Sequence, residues 1–317
     1  MREFDLVAID WESVGLMQAE QFRQETYYLE ELQRWALQQA GVFGILNATE
    51  KSISPPTPEP NGVYSVRVSG IAAVAPQGHI LYLSAQPEEA LRGFIEAKEA
   101  VTPLYLGVSL SESSREPLSP SSGRGLLNCH GRRRVYALAI YNTDTDYDWL
   151  QIAQYRKTAS HASALERDDS YIPECMFLSS HPALTQAVAE IQDLARKAQG
   201  TLSQYSSKEV AVFSAAAALA GSLGAATRTL HYRQHPRAYI ERLAGVFDAQ
   251  FTQLSALPVE PSYYQDTINF LKDTLAYLDR DYWTLGEAFS RSYQCFEWLL
   301  QLYPLLLGDL KQLKPDI

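Results

Sequence analysis

The chain has 317 residues, enough for two domains of ordinary size, and 46% of them are hydrophobic, as in a globular protein. Its formal net charge of −10 argues against non-specific nucleic-acid binding and against simple adhesion to an anionic membrane, both of which need a surplus of Lys and Arg. The three cysteines, Cys129, Cys175 and Cys295, are far apart and form no CxxC pair, which disfavours a disulfide framework or a cysteine zinc site and fits a reducing compartment. Acidic residues stand where a signal peptide needs an apolar run, and no uncharged apolar stretch reaches a membrane-spanning length. A soluble, cytoplasmic protein is expected.

Taken in order, residues 4–8 read as the start of a strand. From Ala19 to Gln39 the spacing is helical, with Phe22, Leu29, Leu32, Trp35, Ala36 and Leu37 as apolar positions and Gly41 as the stop. The period then becomes that of strands. These are expected at 42–48, 63–74, 79–83, 104–110, 134–141 and 150–155, with a tight turn at Pro76-Gln-Gly78 and a short helix at 87–98. The prolines between Pro55 and Pro60 and the serines of 111–124 mark surface loops. With no βαβ alternation, this half reads as an antiparallel sandwich. A boundary falls within 167–174. It separates a β-rich shoulder domain, 1–173, from an all-α bundle, 174–317, so the fold class is α+β.

The helical half carries a long seam. Leu184, Val188, Ile191, Ala195, Ala198, Leu202 and Tyr205 recur at three- and four-residue steps. After Glu209 the rhythm resumes through Val212, Ala216, Leu219, Leu223, Ala226 and Leu230. Such a seam needs a partner. It is either the core of a bundle within one chain or a stalk shared between copies. A serine cap with Pro182 opens the first helix, a weak point near Ser206-Ser207 splits it, and His235-Pro236 restarts it. Two more helices are expected at 263–278 and 284–303.

Reactive chemistry is sparse. Asp144, Asp146 and Asp148 alternate like the opening of a calcium loop, but Trp149 and Tyr155 occupy the positions that need Gly and Glu, so a solvated turn is expected. His231 and His235 are four apart, yet Pro236 interrupts the helix that would align them, and no metal site is expected. Arg132-Arg-Arg134 with Arg124 is the basic cluster, read as a loop flank or a contact for an acidic partner. No nucleophile elbow, phosphate loop or dinucleotide fingerprint occurs, so neither an enzyme nor a cofactor is expected. Trp11, Met17, Phe22 and Trp35 surround a helix entry. They either pack that helix on the sandwich or present an anchor to a partner.

In combination these landmarks resemble the TssK family, baseplate adaptors of type VI secretion. The resemblance is carried by Trp11, Gly15, Leu16 and Met17 before Ala19-Glu-Gln-Phe22, with Ala19 at the family's proline and Gln21 at its histidine. It continues through 41–46, the 70–78 hairpin, Asp169-Ser-Tyr-Ile-Pro173 with Ser179-Ser-His-Pro182, and His235-Pro-Arg-Ala-Tyr239 with Leu243-Ala-Gly245, spanning residues 10 to 300. It implies a homotrimer built on the helical stalk, which puts Val188, Ile191, Ala195, Leu202, Leu219 and Leu223 at the contact between copies. It also implies a sandwich similar to a phage receptor-binding shoulder, docking baseplate wedge proteins of the TssF and TssG kind through Trp11, Met17 and Phe22. The family's C-terminal head is expected to be absent, since the sequence ends at Ile317; a membrane complex would then be reached by another route. The expected place is the bacterial cytoplasm beside the inner membrane. A phage-tail-like receptor-binding protein on a similar trimeric frame is the alternative.

Overall fold

A computed structural model describes residues 19–96, 98–111, 116–117, 132–158, 164–204, 210–227, 233–257, 264–280 and 283–310. Helices and antiparallel sheets make it an α+β chain with two compact units, Met1–Met176 and Phe177–Ile317.

In the first unit, helix α1 (Ala19–Gln39) has the limits that its apolar spacing and Gly41 predict. Its end is closed by two backbone bonds, Gly41 N–H to the Gln38 carbonyl and Val42 N–H to the Leu37 carbonyl. The strands are β1 (Gly44–Asn47), β2 (Thr57–Pro58), β3 (Val63–Val68), β4 (Ile71–Val74), β5 (Ile80–Leu83), β6 (Leu91–Glu96), β7 (Val101–Ser109), β8 (Glu116–Pro117), β9 (Arg132–Arg133), β10 (Tyr136–Ala139), β11 (Tyr147–Lys157) and β12 (Leu165–Arg167). They form sheets of order β1-β4-β5, β10-β7-β11-β12, β2-β3-β6 and β8-β9, and each of these pairings is antiparallel.

Two expectations fail here for physical reasons. The single strand at 63–74 is two strands in different sheets. The corner is Gly70, at φ +62°, held by its N–H to the Ser84 carbonyl and by the buried Ser52 hydroxyl donating to the Gly70 carbonyl. The helix at 87–98 shrinks to a single 3-10 turn at Pro87–Glu89, after which Leu91–Glu96 becomes β6. All six of its residues pair with β3, and Gly93 and Ile95 point inward while Arg92, Phe94 and Glu96 point out. Pairing with a distant strand overrides the local helix-forming composition.

The turn at Pro76-Gln-Gly78 joins β4 to β5 as expected, with Gly78 N–H on the Ala75 carbonyl. Beside it lies a buried polar lock. Asp148 accepts from the Gln77 N–H at 3.0 Å and pairs with His79 Nδ1 at 2.9 Å, both side chains 2% exposed. Asp148 was expected in a solvated turn; it instead ties the hairpin to β11. Asp144 stays in the turn, accepting from the Asp146 N–H.

The second unit contains α2 (Pro182–Ser203), α3 (Val210–Thr227), α4 (Pro236–Ser255), α5 (Gln265–Leu278) and α6 (Leu285–Leu310). Pro182 opens α2, but its capping residue is His181; Ser180 is buried instead, its hydroxyl accepting from the Phe177 N–H. Helix α2 ends at Ser203 and α3 is described from Val210; the break expected near Ser206-Ser207 lies outside the described residues. Helix α6 runs through Pro304, which has no N–H to return to the Leu300 carbonyl. Helix α2 packs on α3 and α6, α3 on α4, and α4 on α5 and α6. Gln250 of α4 is completely buried at the centre. Its amide donates to the Leu219 carbonyl of α3, and its oxygen accepts from the Tyr303 hydroxyl of α6 at 2.7 Å.

At the six positions assigned to a contact between copies the seam is closed within the chain, which corrects that assignment. Val188, Ile191, Ala195, Leu202, Leu219 and Leu223 are all 0–1% exposed, covered by helices of the same chain. Four amphipathic helices and the uncharged α3 supply enough apolar surface to cover these positions within the chain, so they have none left for a second copy.

Two substitutions check this packing. Leu223→Asp buries an unpaired carboxylate, so the helical unit should lose about 4 kcal/mol in denaturant titration; an unchanged midpoint would return that residue to the surface. Gly78→Ala forces a side chain onto φ +86° and sets its Cβ 2.5 Å from the Arg34 carbonyl oxygen. A loss of about 3 kcal/mol is expected, read as a lower melting temperature of the β-rich unit.

Candidate functional site

Helix α1 is laid on its unit with a charged pair inward. Among its described side chains, Glu31 and Arg34 are the buried ones, each residue 2% exposed and the two joined as an ion pair; Arg34 Nε donates to Glu31 Oε1 at 3.0 Å. The tip of the β4–β5 hairpin abuts the Arg34 carbonyl, and Arg134, just before β10, pairs with Glu30 at 2.6 Å. The apolar residues look outward. Phe22 is 54% exposed, Leu29 54%, Leu32 36% and Trp35 41%. At spacings of seven, three and three they share one face of the helix. Four exposed apolar side chains on one side of a helix make it a candidate interaction surface.

Of the anchor positions expected from sequence, Phe22 lies on this face, while Trp11 and Met17 lie outside the described residues. Leu29 and Leu32, which the sequence marks only as apolar positions of the helix, lie on this face too. The signal that places them outward is the Glu31–Arg34 pair, three apart on the opposite side.

The other candidates resolve into structural roles. His235 caps α4, its Nδ1 accepting from the Arg237 N–H at 3.2 Å. His231 lies outside the described residues, and among those described no group of three His, Cys, Asp or Glu could hold a metal ion. Arg134 is engaged with Glu30; Arg124 is not among the described residues. Cys175 and Cys295 are free and buried. Burial pushes both thiols up, Cys295 to about 12, so neither is a thiolate at neutral pH. The His79–Asp148 pair has the composition of an acid–base dyad, but it is too deeply buried to meet a substrate. No helix among the described residues is long and apolar enough to cross a membrane.

No family model matches the sequence, and no curated protein does. Solved structures do. A crystal structure of TssK superposes with a TM-score of 0.63 at 14% identity, covering 94% of this chain and 70% of that one. TssK from the type VI secretion system of EAEC, in complex with a nanobody, gives 0.61 at 14% identity over 89% of this chain and 99% of that one. The fold is that of TssK. A chain of the TssK-TssF-TssG baseplate subcomplex of the type VI secretion system gives 0.65 at 14% identity, covering 94% of this chain and all of that one. The likeness to TssK thus extends through both units, and the identity is low enough that the fold alone is carried by it.

Within this TssK-like frame the His235 cap makes the helical unit sensitive to acid. Burial, then the neighbouring Arg237, holds its pKa below the ordinary 6.5 against the opposing pull of Glu241. Neutral His235 is the acceptor at the start of α4, so its contribution is whole above pH 6.5 and is lost as the pH falls through the lowered folded value. His235→Asn keeps a cap that does not titrate. Between about pH 7.5 and 5 the variant should lose less stability than the parent, by about 1 kcal/mol; identical pH profiles would remove His235 from the account.

Proposed function

We propose that this protein is a non-enzymatic structural adaptor of a contractile-injection baseplate, of the type VI secretion kind, working in the bacterial cytoplasm beside the inner membrane. The observation that carries this reading is α1, which buries the Glu31–Arg34 pair and exposes Phe22, Leu29, Leu32 and Trp35. Leaving such a face in water has a cost, and a rigid helix that presents it is suited to an apolar groove on a partner. The likeness to TssK in baseplate structures supports wedge proteins comparable to TssF and TssG as that partner. A helix already ordered by its own unit has little entropy to lose on docking.

Homotrimerisation is part of the same reading. Since the seam is internal, copies would meet through outward helix faces. Helix α3 has no charged residue in its whole length, and its outward Ser214, Ala217, Ala218 and Gly221 are small enough for close approach. Several tethered shoulder units then bind a baseplate more tightly than one, without any new contact.

Copurification with coexpressed wedge proteins tests the docking face. Leu29→Asp with Trp35→Asp should leave the melting temperature unchanged and weaken capture at least about 30-fold, the equivalent of losing one 2 kcal/mol anchor. Undiminished capture by the folded double variant would rule out α1 as the docking face.

A further inference from the structure

We propose that the helical unit carries a second docking site, a groove between α4 and the end of α5, which receives a short helix with basic residues from a partner protein. The groove encloses about 590 Å³. Its floor is apolar, made by the buried Ile240 with the half-buried Leu275 and Leu278. Along α4 the lining residues Arg237, Glu241, Ala244 and Asp248 recur at steps of three and four, so one face of that helix forms the wall over about 16 Å, three helical turns. The rim is low where Ala244, Gly245 and Ala276 stand, and a Cβ placed on Gly245 would meet nothing within 4 Å. An apolar trough of that length with small residues along its edge admits a helix closely enough to bury side chains on its floor.

Charge selects the occupant. Glu241, Asp248 and Asp279 line the groove, and among the described residues no ion pair engages any of them. The two lining arginines lie over aromatic rings, Arg237 over Trp283 at 4.6 Å and Arg280 over Tyr277 at 5.8 Å. Both guanidinium groups keep their charge there, so the three carboxylates leave the lining with one net negative charge, and Glu241 and Asp248 carry it along the α4 wall. Glu241 and Asp248 are two turns apart on one face, and Lys or Arg at the same spacing on an incoming helix would meet both. This site differs in kind from the α1 face, which is apolar and convex, so it takes a different partner segment.

A displayed library of short helical peptides, panned on the purified full-length chain, tests this. Enriched peptides should carry an aliphatic stripe with Lys or Arg seven residues apart. A photo-crosslinker in the best binder should label 237–248 or 275–283. Filling the groove with Gly245→Trp, or reversing its charge with Glu241→Lys and Asp248→Lys, should each weaken that peptide at least about tenfold in fluorescence anisotropy. Leu29→Asp with Trp35→Asp should leave it unchanged, which separates this site from the proposed baseplate contact. No enrichment, enrichment of acidic peptides, or labelling elsewhere on the chain would each overturn the proposal.

Discussion

The Glu31–Arg34 ion pair decides what the first unit shows to the outside. Both residues are 2% exposed, so both charges have left water. That desolvation is offset only by good geometry, and Arg34 meets both oxygens of Glu31 in a two-pronged contact. Removing one partner of such a pair typically costs about 3–5 kcal/mol, because the other charge is stranded. With this side of α1 committed to the β4–β5 hairpin, the apolar side has nowhere to go but outward. The exposed face is therefore a consequence of how the helix is seated, and the close approach of Gly78 to the Arg34 carbonyl makes that seating specific.

The helical unit is arranged around a different constraint. Gln250 is a polar residue at the centre of an apolar bundle, and it is tolerated because both ends of its amide are used. It links α3, α4 and α6 at one level. The surrounding aromatic pairs, Phe247 with Phe296 and Tyr239 with Phe289, fill the space between α4 and α6. A bundle satisfied in this way hides its seam and leaves function to its outer surfaces, where the α4–α5 groove and the uncharged α3 lie.

These two units divide the work that the proposed adaptor needs. Neither the buried thiols nor the buried His79–Asp148 pair offers reactive chemistry to a ligand. What the molecule offers instead is rigid, shaped surface. In the β-rich unit that surface is an ordered helix with outward Leu and Trp side chains. In the helical unit it is a trough edged by small residues and carboxylates.

The sequence by itself determined everything settled within a few residues. The limits of α1, the turn at Pro76–Gly78 and the restart at Pro236 follow from glycine, proline and spacing, which act locally. The resemblance to TssK, legible in the order of such landmarks, holds at the level of the fold. Half of the proposed docking face was visible too, since the sequence reads Phe22 and Trp35 as either anchors or packing. Only the tertiary structure decided which side of α1 faces in, because a helix with two usable faces is oriented by its neighbours and not by its own pattern. The same reason turned Leu91–Glu96 into a strand beside β3 and closed the helical seam on its own chain. Spacing reveals that a residue needs a partner; the identity of the partner depends on contacts between segments far apart in the chain.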